Sequence, residues 1–71
     1  MTAGEIARTH FAGAMAAAKA QGQDADAVAR SLLSLVISSM LERRSVADVQ
    51  AELFGAAENV DPDTDYAFMR P

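Results

Sequence analysis

The stretch from Asp24 to Arg44 carries more apolar surface than one helix of a small protein can bury. On a helical wheel at about 100° per residue, Val28, Leu32, Leu33, Leu35, Val36, Ile37, Met40 and Leu41 cover an arc of about 240°, whereas an ordinary surface helix shows a stripe little over 100° wide. Such a helix must be covered on two sides. Two short flanking segments supply too little bulk for that, so the pattern points to a second chain.

With 71 residues the sequence holds one domain near the lower size limit for a self-sufficient core. It has no cysteine to staple the fold or to act as a thiolate, and its single histidine excludes a conventional His-rich zinc site. Stability must then come from packing and association. The formal net charge of −4 opposes binding to nucleic acid and to anionic lipid. Glu5 stands where a signal peptide would carry basic residues. The most apolar run, Leu32 to Leu41, is interrupted by serines and is about half a membrane span. These features lead to the expectation of a cytoplasmic protein with no membrane and no nucleic-acid partner.

Three helices and a tail are expected. Thr2-Ala3-Gly4-Glu5 has capping-box spacing, opening a first helix over residues 3–21 that runs through an alanine-rich stretch to Gln21-Gly22. Asp24 caps a second over residues 25–44, with Asp26 in its first turn and Arg43 and Arg44 in its last, matching the helix dipole. Ser45-Val46-Ala47-Asp48 again has capping-box spacing and opens a third over residues 46–58, which carries a stripe of Val46, Val49, Leu53, Ala56 and Ala57. Asn59, tolerant of left-handed geometry, closes it. Asp61-Pro62-Asp63 marks a turn, and residues 59–71 form the tail. No alternation of period two occurs, so no sheet is expected. The predicted class is all-α: an antiparallel helical hairpin with a shorter third helix and an extended tail, two copies forming a homodimeric bundle.

No constellation of reactive groups accompanies this pattern. Ser31, Ser34 and Ser38 share a narrow strip, but serines without a nearby base are not nucleophiles. His10 lies on the apolar side of the first helix among Ile6, Ala14 and Ala17, close to Phe11, with no partner at triad or ligand spacing. The acidic turn Asp61 to Asp65 has carboxylates at alternate positions, like the opening of an EF-hand loop. Tyr66 occupies the place of the required glycine, and the closing glutamate would fall beyond Pro71. The third helix is followed by an acidic, proline-broken segment rather than by a recognition helix. No catalytic residue, metal ligand or cofactor is therefore assigned.

The remaining features concern association. Leu33, Val36, Ile37, Met40 and Leu41 are expected at the centre of a dimer interface. Tyr66, Phe68 and Met69 crowd into the tail of a chain with four aromatics in all. They are candidates for docking the tail or for filling a partner's groove, and Phe54, about 100° off the main stripe of its helix, is a candidate platform for them. The functional expectation is a non-enzymatic interaction module, an acidic adaptor, inhibitor or accessory subunit, partnered by itself and by an unidentified protein. The alternative is a ligand- or metal-responsive regulator using His10 or the acidic turn.

Overall fold

The computed structural model describes residues 1–61 and contains three helices: α1 (Ala3–Ala20), α2 (Ala25–Leu41) and α3 (Val46–Glu58). No strand occurs among the described residues. The chain is all-α.

Each helix starts where a polar side chain can satisfy one of the free amides of its first turn. At α1, Thr2 accepts from the Glu5 amide at 3.1 Å while the Glu5 carboxylate accepts from the Thr2 amide at 3.0 Å, completing the capping box. At α2, the Asp24 carboxylate accepts from the Ala27 amide at 3.1 Å. At α3, Ser45 accepts from the Asp48 amide at 3.1 Å. Asp48 does not reciprocate as Glu5 does, because its side chain is one methylene shorter.

The ends differ more. Beyond Ala20 the chain closes with a pair of bonds characteristic of a Schellman turn, the Gln23 amide to the Ala18 carbonyl at 2.8 Å and the Gly22 amide to the Lys19 carbonyl at 3.2 Å. Gly22 takes φ +67° there, a conformation costly for any residue with a Cβ. α2 stops at Leu41, three residues short of expectation. The Arg43 and Arg44 amides both turn back onto the Met40 carbonyl, at 3.0 and 2.9 Å, placing both arginines in the connection rather than in the last helical turn. The extended backbone that Ser45 needs as a cap (φ −69°, ψ 159°) requires the helix to end before it. α3 closes without left-handed geometry: Asn59 has φ −93° and ψ 3°, and its amide bonds the Gly55 and Ala56 carbonyls.

The chain divides into two compact units, Met1–Val36 and Ile37–Pro71. In the first, α1 and residues 25–36 of α2 bury Ala18, with Ala14, Met15, Val28, Ala29 and Leu32 half-buried. In the second, Val49 is the buried residue, at 2% exposure, with Ile37, Met40 and Leu53 half-buried. Among the described residues no large side chain is fully buried in either, and what they bury is a seam of small and medium residues.

Candidate functional site

In the first unit, residues one turn apart on α1 meet residues one turn apart on α2. Ala7, His10 and Phe11 face Leu32 and Val36 across an open cleft of about 330 Å³. Among the described residues four of its five walls are apolar, and the His10 imidazole is the polar side chain on it. Ala7 and Phe11 belong to a face that continues through Ala14 to Ala18, at the three- and four-residue spacing that lines up one side of a helix. The small residues at its far end let the two helices approach, and the cleft lies where Phe11 replaces alanine. Phe11 itself stays 52% exposed.

The residues expected at the centre of a dimer divide by depth. Ile37 and Met40 are half-buried, whereas Leu33 and Val36 are each 53% exposed and Leu41 is 44% exposed. Leu33 and Val36, three apart, are neighbours on one face of α2. Leu35 is 67% exposed and points about 160° away from Leu33 on the same helix, toward the side that carries Ser31 and Ser38.

On α3 the buried side is set by Val49 and Leu53. Phe54 lies on the other side, 67% exposed, with Gln50 and Ala51 one turn before it and Ala57 and Glu58 one turn after. Val46 is also exposed. Tyr66, Phe68 and Met69, the candidate tail anchors, lie outside the described residues, so the structure does not bring them to Phe54.

Polar contacts concentrate at the α2–α3 connection. The Arg44 guanidinium pairs with the Glu52 carboxylate at 2.5 Å and donates to the Asp48 carbonyl at 3.3 Å, tying the turn to the second turn of α3. Arg43 donates to the Ser39 hydroxyl at 2.9 Å. Ser31, Ser34 and Ser38 are exposed. At the start of α1 the Thr2 amide and hydroxyl, both bonded to Glu5, hold its carboxyl below the ordinary glutamate value.

No group of three or more potential metal ligands occurs among the described residues. Of the acidic turn, only Asp61 is described; Asp63 and Asp65 lie outside. No described helix is long and apolar enough to cross a membrane. Sequence reasoning passed over Phe11 and Ala7 as site residues, noting Phe11 only as a neighbour of His10. The spacing Ala7-Phe11-Ala14-Ala18 carried the signal.

What the arrangement offers chemically is apolar contact, at the α1–α2 cleft, along α2 and around Phe54. Compared with known protein families, with curated proteins and with solved structures, the chain matches none.

Proposed function

We propose that this chain is a small, acidic, non-enzymatic interaction module that works as a homodimer and binds a further protein. The observation that carries the reading is the depth of burial: Ala18 and Val49 are the only buried residues among those described, while Leu33, Leu35, Val36, Phe11 and Phe54 stand half or more exposed. Fully burying one such side chain stabilises by about 1.5–3 kcal/mol. Leaving five in water forfeits an amount comparable with the roughly 5–15 kcal/mol stability of a typical domain.

In this reading α1 and α2 form an antiparallel hairpin. Residues 7–11 face residues 32–36, and the chain reverses at Gly22 between them, a pairing that a short connection permits only for opposed helices. Two hairpins then associate by a two-fold, self-complementary contact along α2 through Leu33, Val36, Ile37, Met40 and Leu41. The run Ser31 to Leu41 contains no charged residue, which suits a contact between identical copies. Leu35 and Phe54 point away from that face of their helices and, with the aromatic tail residues Tyr66, Phe68 and Met69, serve the other protein as anchors.

The test is sedimentation equilibrium across a dilution series, with Ile37→Asp as the variant. A wild-type dimer and a dissociated, largely unfolded Ile37→Asp are expected, because an ionised carboxylate in a dry interface is strongly disfavoured. A wild-type chain that stays a folded monomer at all concentrations would refute the homodimer.

A further inference from the structure

We infer that the cleft formed by Ala7, His10, Phe11, Leu32 and Val36 is the seat for a second copy of this chain, with Phe11 of each copy entering the cleft of the other. The inference rests on the homodimer proposed above and adds α1 to an interface otherwise assigned to α2 alone.

Charge selects the occupant. Residues 1–36 carry three acids (Glu5, Asp24, Asp26) and three bases (Arg8, Lys19, Arg30), so this half is formally neutral. The remaining residues carry seven acids against three bases, and the whole net charge of −4 belongs to them. Two copies of an acidic chain can meet through their first halves with no net charge on either contact surface. A strongly charged partner finds no complementary field there, whereas a self-contact through the residues beyond Leu41, which hold all seven of those acids, brings like charges together.

Area is consistent with the same occupant. Ile6, Phe11, Leu33 and Val36 are each about half exposed, which leaves on the order of 400 Å² of apolar side chain per copy in water. A standard interface takes roughly 800 Å² from each partner, a little over half of it apolar. Ile6 adjoins His10 one turn along α1, and Leu33 adjoins Val36 along α2, so both extend the rims of the cleft. Phe11 is the largest exposed side chain on this surface. Around a two-fold axis the group that lines one cleft is also the group presented to the other. His10 at the rim keeps an imidazole able to donate or accept a hydrogen bond at the edge of the contact.

The experiment combines sedimentation equilibrium of Phe11→Ala and Ser31→Asp with an isotope-filtered NOE measurement on an equal mixture of labelled and unlabelled wild-type chains. Phe11→Ala is expected to weaken association at least about tenfold while remaining helical, and Ser31→Asp, on the far flank of α2, to leave it within about threefold of wild type. Interchain NOEs are expected from the Phe11 ring to the Val36 and Leu32 methyl groups. They need no variant, so the proposal stays testable should Phe11→Ala fail to fold. A wild-type dimer that lacks these NOEs, or a folded Phe11→Ala that associates with wild-type affinity, overturns the seat and leaves the α2 dimer standing. Intrachain NOEs from Phe11 to Tyr66 or Phe68 give the cleft to the chain's own C-terminal segment and overturn it too. A wild-type monomer refutes both readings.

Discussion

At Thr2 and Glu5 two side chains and two amides satisfy one another, and the consequence is a pH dependence of known sign. The Glu5 carboxyl is held below its ordinary value in the folded chain, so it contributes stability at pH above the unfolded-state value, and that contribution is lost as pH falls through the folded one. Acidification should therefore loosen the first turn of α1. An NMR titration of the Glu5 side-chain carboxyl should give a midpoint below the ordinary glutamate range in wild type and a higher one in Thr2→Ala, which removes the hydroxyl and keeps the backbone amide. The same substitution removes the cap itself, costing about 1 kcal/mol in thermal or denaturant unfolding. Two glycines offer an opposed pair. Gly22→Ala places a Cβ at φ +67° and should destabilise by about 1–2 kcal/mol. Gly55 sits inside α3, where among the described residues a Cβ would meet nothing beyond its own helix within 4 Å, so Gly55→Ala should stabilise by about 0.5–1 kcal/mol. Denaturant midpoints of the two variants check both signs.

At the scale of the helices, the starts follow from local spacing and the end of α2 does not. Thr2, Asp24 and Ser45 cap through bonds that reach three residues along the chain, so the residue types and their spacing suffice to locate them. The end of α2 depends on competition. Arg44 could have extended the helix, as its charge suits the final turn. It is instead drawn to Glu52, eight residues away on α3, while the Ser45 cap demands extended backbone next to it. That ion pair is partly exposed, with 36% and 55% of the two side chains accessible. Glu52→Gln should accordingly cost less than about 1 kcal/mol, and less still at high salt, by urea unfolding. A larger loss would mean that the pair fixes the α2–α3 turn rather than decorating it.

At the scale of the whole molecule, the decisive quantity is how little the described residues bury. A protein whose unburied leucines and phenylalanines find their cover in a second copy has a stability tied to concentration. The thermal midpoint of the wild-type chain should rise with each tenfold increase in total concentration and extrapolate toward an unfolded chain on dilution. Added salt should not weaken the dimer, since the proposed contact carries no net charge and the acidic halves repel less when screened. A midpoint independent of concentration would contradict the homodimer and return the exposed α2 surface to a different protein.

The sequence by itself determined the three helices, their caps, the left-handed turn at Gly22 and the excess of apolar surface on α2, because each follows from residue types within a few positions of one another. It also showed that no familiar catalytic spacing is present. Only the tertiary structure decided that α2 ends at Leu41, that Arg44 answers to Glu52, and that Phe11 and Ala7 join Leu32 and Val36 around one cleft. Those outcomes depend on which side chains of one helix meet which of another. Ala18 is buried and Ala14 half-buried on α1, and their smallness permits the close approach of another backbone. Depth follows the same rule: Leu32 and Leu33 are adjacent and chemically identical, and their 100° separation on the helix puts the first half inside the seam and leaves the second in water.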